Sequence, residues 1–214
     1  MTSDTNYHRN FRAEVAAFLP GRYAKVLEIG CGEGRFRANL PAPCEYVGVE
    51  PSPAAAQVAR GVLDAVHTGT FESVVGNLPD GHFDLVICND VIEHMPDHDA
   101  FLEAIKGKMA PGACLAGSIP NVRWLPNLWG LMVGRDWEYI DHGILDRTHL
   151  RFFTERSWRR SLELHGYRVE MLEGITPLDL GKNPLKRAAK SLLINAVGAD
   201  CRYLQFGWRA VLVL

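Results

Sequence analysis

The run Val26-Leu27-Glu28-Ile29-Gly30-Cys31-Gly32-Glu33-Gly34 constrains this chain more than any other stretch. Apolar residues lead into a Gly-x-Gly-x-Gly turn, and Arg35 to Leu40 reads as a helix beyond it. The physical reading is a buried strand, a tight loop and a helix start. Glycines let the backbone approach a ligand closely and adopt positive φ. The N–H groups of the helix start then face an anionic or polar ligand. Dinucleotide enzymes use Gly-x-Gly-x-x-Gly, whereas here the third glycine comes one residue earlier. A second apolar run, Tyr46-Val47-Gly48-Val49, ends in Glu50, about twenty residues after Gly30. An acid at the end of the second strand accepts hydrogen bonds from ribose hydroxyls. The two elements together point to an adenosine-containing ligand.

Leu27 to Gly34 resembles the first motif of the class I S-adenosylmethionine-dependent methyltransferases. Phe83-Asp84-Leu85-Val86-Ile87-Cys88 is similar to the fourth strand of that family. The resemblance implies an α/β, Rossmann-like, doubly wound sheet of seven strands. Its last strand is antiparallel, and a helical, aromatic lid is inserted after strand five. It implies one methyltransferase domain: a helical cap over 1–24, a cofactor core over 25–120, a lid over 121–153, and the rest of the sheet over 154–214. It implies S-adenosylmethionine as cofactor and S-adenosylhomocysteine as product. Loops at the carboxyl ends of the strands converge on one crevice in such sheets. The cofactor residues implied there are Glu28, Gly30, Cys31, Gly32, Gly34, Glu50 and Pro51, with Thr70 and Phe71 after strand three and Asn89 and Asp90 after strand four. Glu93-His94 recurs in the small-molecule O-methyltransferase branch, including quinone-type enzymes, which places His94 near the transferred methyl. Tyr7, on an N-terminal helix, is positioned by the same resemblance to close over the site.

Local signals fill in the order of elements. Tyr7 to Leu19 carries helical periodicity and stops at Pro20-Gly21. Ser52 is an N-cap with Pro53 at the first helical position. Strand three is expected over 63–67 and strand five over 113–119. Asp97-His98-Asp99 has the look of a metal cluster but precedes an amphipathic helix, and an N-cap is the better use of its acids. No metal is assigned. Thr154 with Ser157 starts the helix Glu155 to His165, and strands six and seven follow over 166–172 and 208–214.

Residues 121–153 are the least generic part and hold three of the five tryptophans, Trp124, Trp129 and Trp137. Aromatic faces beside Asp, Arg and His suit stacking on a ring and hydrogen bonding to hydroxyls, and equally the core of an added helix pair. The run Gly143 to Thr154 resembles a signature of bacterial methyltransferases of polysaccharide and glycan assembly. His149 arrives there with Asp146, Arg147 and Arg151. A His held by an acid can take a proton from a hydroxyl during methyl transfer, so His149 leads His94 as the candidate base, with Asp146 as orienter. Arg147 and Arg151 are candidates for a phosphate or carboxylate, and Trp137 and Tyr139 for the substrate's ring. The activity expected is O-methylation of a sugar in cell-surface glycan or glycolipid assembly. Alternatives are a quinone-like or secondary-metabolite hydroxyl, or a cofactor-binding partner without turnover.

Charge limits the partners. Residues 1–120 carry 9 Lys/Arg against 15 Asp/Glu, and residues 121–214 carry 14 against 10. That basic excess is too small and too mixed for nucleic acid, and it permits a small-molecule or glycan substrate bearing phosphate. No run of eighteen apolar residues occurs, and the polar first ten residues lack a signal-peptide core. A cytoplasmic protein with reduced cysteines is expected. The basic, apolar stretch 182–197 reads either as a peripheral membrane contact or as a helix covering the sheet edge.

Overall fold

The structure, a computed structural model, describes residues 11–41 and 43–213. Seven strands form one sheet: β1 (Lys25–Ile29), β2 (Glu45–Glu50), β3 (Ala65–Thr68), β4 (Phe83–Asn89), β5 (Met109–Pro120), β6 (Tyr167–Pro177) and β7 (Tyr203–Leu212). Their order is β3-β2-β1-β4-β5-β7-β6. All neighbours pair in parallel except β7, which runs antiparallel to both β5 and β6. The order reverses between β1 and β4, which opens a crevice at their carboxyl ends. The Gly-rich loop and residues 89–94 both leave the sheet at that point.

The sheet is covered on both faces, which is why β1 and β4 are nearly continuous apolar runs. Along β4, Val86 and Cys88 enter one apolar cluster and Leu85 and Ile87 the other, the period-two alternation of a strand. The first cluster centres on Trp158 and Trp208, fully buried with ring centroids 5.0 Å apart. The strands also approach closely. A Cβ at Gly117 of β5 would lie 1.8 Å from the carbonyl oxygen of Cys88, so only glycine fits there.

Helices begin where the sequence supplies a cap. Ser52 opens α1 (Pro53–Ala59), and Asp97 Oδ1 accepts from Ala100 N at 2.9 Å to open α3 (His98–Lys106). Between them, α2 (Phe71–Val74) is a single turn. A capping box of Thr154 and Ser157 opens α5 (Glu155–Leu164), and Asn183 opens α6 (Pro184–Val197). Asp97 therefore serves as a cap, as its position before an amphipathic run required.

Several expectations need correction. Of the helix expected over 7–19, the described part is a 3₁₀ turn, Ala13–Phe18, led by Arg12 in the left-handed region at φ 48°. Residues beyond Gly34 likewise form a 3₁₀ turn, Arg35–Asn39. The last two strands are longer than expected because they pair with each other over most of their length. In 121–153, α4 (Leu125–Trp129) runs into a π turn, Gly130–Gly134, and the rest is irregular apart from isolated bridges Ile140↔Asp146 and Asn121↔Phe153. Helix α6 packs Ile194 on Leu125 and Cys201, while Leu185 and Leu192 stay exposed. No helix among the described residues is long and apolar enough to cross a membrane.

Candidate active site at the carboxyl end of the sheet

The glycine loop is built as its spacing demands. Gly30, Gly32 and Gly34 all have positive φ, at 70°, 54° and 78°. A Cβ at Gly30 would also lie 2.5 Å from Val91 Cγ2, so the first glycine is fixed by strain and by contact. Glu50, only 2% exposed, holds the loop from β2: Oε2 accepts from Gly32 N at 2.8 Å and Oε1 from Ser52 N at 2.8 Å. Carboxylate oxygens keep further lone pairs, so this grip leaves acceptor capacity for a ligand hydroxyl.

Glu28 sits behind the loop, buried, accepting from Tyr46 Oη at 2.8 Å. Burial pushes its pKa up to about 8, against the opposing effect of the Tyr46 hydrogen bond. At the end of β4, the Asn89 side-chain amide is buried and lies beside the Glu28 carboxyl, where it opposes the rise in that group's pKa. Asp90 is a non-glycine residue at φ 51°. Its carboxylate takes hydrogen bonds from Arg12, from Ser118 Oγ at 2.9 Å and from Gln205 Nε2 at 2.9 Å. Arg12 also donates to Ser118 Oγ at 2.8 Å. The chain ahead of β1 is thus tied to β4, β5 and β7 at one point.

Next to it lies a second group. Glu93 and His94 end the short 3₁₀ turn Ile92–His94, and His149 comes from the irregular segment. One potential donor atom from each of the three lies within 4.8 Å of the others. The two imidazoles meet edge to face with centroids 4.7 Å apart. Two backbone bonds hold the loops together, as Leu150 N and Arg151 N donate to the Glu93 carbonyl at 2.8 and 3.1 Å. His149 Nδ1 faces the Ile144 carbonyl at 2.9 Å and His94 Nδ1 the Thr148 carbonyl at 3.2 Å. A carbonyl accepts only, so each Nδ1 carries a hydrogen, and in a neutral ring the lone pair is on Nε2. Burial and the neighbouring His149 lower the pKa of His94. Burial raises that of Glu93 to about 8.

The structure brings together the glycines, Glu50, Asn89, Asp90, His94 and His149, and corrects several neighbours. Phe71 is 3% exposed and packs edge to face on Phe101 at 4.9 Å, so it belongs to the core and not to a ring-binding wall. Thr70 leads α2, its carbonyl accepting from Ser73 N and Oγ, while Pro51 is exposed. The Cys31 side chain is buried against Gly48, which leaves only its backbone to the loop. Asp146 does not orient His149: its Oδ1 takes Thr148 N at 2.8 Å and Thr148 Oγ1 at 2.6 Å, and the Ile144 carbonyl does the orienting. Arg151 donates to the carbonyls of Pro96 and Leu150 and so braces the loops instead of facing a ligand. Arg147 pairs with Asp141 at 2.9 Å. With Tyr139, His149 and Leu150 it lines a depression of about 310 Å³. Trp137 meets Phe152 edge to face at 5.2 Å, and Tyr139 lies 6.4 Å from the same ring. Tyr7 lies outside the described residues. Sequence reasoning missed Arg12, Ser118 and Gln205. Nothing in their local spacing marks them, because the sheet brings them together from 28 to 115 residues away from Asp90.

A family model described as a methyltransferase domain matches residues 4–172. The chain belongs to that family. Like other class I methyltransferases it has S-adenosylmethionine as its cofactor, and its residues fit one: positive-φ glycines, the Glu50 carboxylate and the buried polar Asn89 amide at the end of β4. This methyltransferase is 30% identical over 113 residues to trans-aconitate 2-methyltransferase of Methylobacterium radiotolerans, covering 51% of this chain and 43% of that one. It is 26% identical over 174 residues to ubiquinone biosynthesis O-methyltransferase of Azorhizobium caulinodans, covering 78% and 68%. The matches span only 43% to 64% of the length of three trans-aconitate relatives. A crystal structure of an Archaeoglobus fulgidus S-adenosylmethionine-dependent methyltransferase shares its fold at a TM-score of 0.66 and 19% identity, covering 98% of this chain and 94% of the other.

Proposed function

We propose that this methyltransferase moves a methyl group onto a hydroxyl oxygen of a small molecule, with a sugar of cell-surface glycan or glycolipid assembly as the leading acceptor. The observation that carries the reading is the His94–His149 pair, whose Nε2 lone pairs sit beside the cofactor end of the sheet. S-adenosylmethionine supplies an electrophilic methyl on sulfur. The glycine loop, Glu50 and Asn89 hold and align it. The acceptor hydroxyl enters through the depression lined by Tyr139, Arg147, His149 and Leu150. As its oxygen takes the methyl, its proton passes to His149 Nε2. The Ile144 carbonyl, already bonded to Nδ1–H, stabilises the imidazolium. Arg147 meets an anionic group of the substrate once it leaves Asp141. Alignment alone can supply roughly 7–11 kcal/mol of such a displacement.

A second reading, a quinone-like phenol, is favoured by Glu93-His94 and by the ubiquinone relative. Transfer of labelled methyl to separated nucleotide sugars, lipid-linked glycans and quinone-type lipids decides between them. Label in a glycan fraction supports the first reading, and label confined to the quinone lipids replaces it with the second. H149A should bind S-adenosylhomocysteine normally and lose roughly 100-fold or more in turnover. Undiminished turnover refutes the base.

A further inference from the structure

We infer that the acceptor carries an oxyanion, a carboxylate or a phosphate, close to the hydroxyl that is methylated. Arg147 is the residue that selects for it, and Asp141 is the internal carboxylate that it displaces. This names the substrate class of the site described above, and it rests on the methyl-transfer reading for the ligand's role as acceptor.

Arg147 and His149 stand two residues apart and line one depression of about 310 Å³ with Tyr139 and Leu150. Two residues of chain span at most about 7 Å. An anion on Arg147 and a hydroxyl at His149 Nε2 therefore fit on one small molecule, such as a sugar and its substituents. The segment that carries them is braced. Ile140 N donates to the Leu145 carbonyl at 3.0 Å and Arg147 N to the Ile140 carbonyl at 3.0 Å, which closes residues 140–147 into a tight loop. Between Arg147 and His149, Thr148 is fixed by Asp146 Oδ1, which takes its N–H at 2.8 Å and its hydroxyl at 2.6 Å. Tyr139, at the start of the loop, offers a half-exposed aromatic face on which a ring can lie.

The observation that names the charge is the pair itself. Arg147 Nε donates to Asp141 Oδ1 at 2.9 Å, with the two side chains 64% and 77% exposed. So exposed a pair adds little to the stability of the fold, and an incoming anion replaces it readily. A guanidinium is a planar fork matched to carboxylate and phosphate. Because the bond to Asp141 runs through Nε, Arg147 still has its terminal N–H groups to offer. The neighbouring charges are engaged elsewhere or cancel. Arg151 donates to the carbonyls of Pro96 and Leu150, and Asp136 and Asp146 take the N–H groups of Trp137 and Thr148. Arg135 and Glu138 are exposed and opposite in sign. Asp141 thus stands where the oxyanion of the acceptor binds, and a neutral acceptor leaves the pair closed.

The test reads Arg147 directly. Phenylglyoxal modifies accessible guanidiniums, and peptide mass mapping scores Arg147 against the exposed Arg135. The probes are glucuronate, glucose 6-phosphate and glucose, added to protein saturated with S-adenosylhomocysteine. Glucuronate or glucose 6-phosphate should protect Arg147 and leave Arg135 reactive, and glucose should protect neither. The probe that protects at the lower concentration tells a carboxylate from a phosphate. D141N should lower the protecting concentration roughly two- to fivefold, the range a surface pair can hold back. Equal protection by glucose, or none by either anion, overturns the anion site. Weaker protection in D141N overturns displacement, because Asp141 would then be holding hydroxyls of the ligand. R147Q should keep its melting temperature and its affinity for S-adenosylhomocysteine. With the methyl-accepting fraction it should raise KM at least about tenfold and hold kcat within roughly threefold. A fall in kcat at unchanged KM overturns selection by Arg147. Protection of Arg147 with no methyl transfer to any fraction counts against the methyl-transfer reading and leaves the anion site standing.

Discussion

Glu50 offers the sharpest test of how the cofactor loop is held. E50Q keeps the size of the side chain and removes its charge. The wild-type carboxylate accepts two backbone hydrogen bonds, Gly32 N at 2.8 Å and Ser52 N at 2.8 Å. An amide has one oxygen, so it satisfies one of these donors and turns an NH₂ toward the other. One N–H, beside a residue only 2% exposed, is then left facing a donor. Hydrogen bonds to a charged group contribute about 1.5–3 kcal/mol each, and an orphaned buried donor costs a similar amount. For a chain of this size about 1 kcal/mol moves the melting temperature 2–4 °C, so E50Q should melt roughly 3 to 12 °C lower. The same loss at the ribose side should weaken S-adenosylhomocysteine by roughly 10- to 150-fold, at tenfold per 1.4 kcal/mol. Thermal circular dichroism gives the first number and titration calorimetry the second. Wild-type melting with wild-type affinity would refute both the grip on Gly32 and the ribose role. Lower melting with unchanged affinity would refute only the latter.

Gly30 separates strain from contact. G30A should destabilise through both its positive φ and the Val91 overlap, while G30A/V91A removes the overlap and keeps about 1–2 kcal/mol of strain on top of the Val91 truncation, which V91A alone measures by urea unfolding. W158A, opening a cavity beneath Trp208, should cost about 3–5 kcal/mol by the same measurement without changing cofactor affinity per folded molecule. Stability should also depend on pH. Glu28 and Glu93 hold their protons up to about 8 when folded and release them near 4.5 when unfolded. The folded state therefore binds more protons in that window, and stability falls as pH rises from about 4.5 to about 8. Each group accounts for at most roughly 5 kcal/mol of the fall. His94 acts in the opposite sense, since its lowered pKa costs stability as pH falls through and below the ordinary histidine value. E28Q should flatten the alkaline limb, and an unchanged slope would show that Glu28 is already ionised when folded.

What the sequence made legible was whatever a short stretch decides by itself. The glycine loop is one such case, because Gly30, Gly32 and Gly34 each need a conformation that other residues resist, and that need is written in the residue type. Caps are another. Ser52, Asp97 and Thr154 act on N–H groups three residues away, so spacing alone located three helix starts. Phe71 failed for the opposite reason: an aromatic residue in a loop after a strand looks the same whether it covers a ligand or Phe101, and only α3 decides. Asp146 failed because proximity in sequence is not direction. Its carboxylate turned to Thr148, one residue short of the imidazole it was expected to hold, and left that work to a carbonyl. Glu93 was visible only as the neighbour of His94. Its burial is a property of the packed loops, created when residues 148–151 fold over the end of β4. The site thus divides along a physical line. The cofactor half is made of local backbone geometry and can be read from one motif, whereas the chemical half is made of contacts between segments more than fifty residues apart. Those contacts, not the motif, have to distinguish a sugar from a quinone.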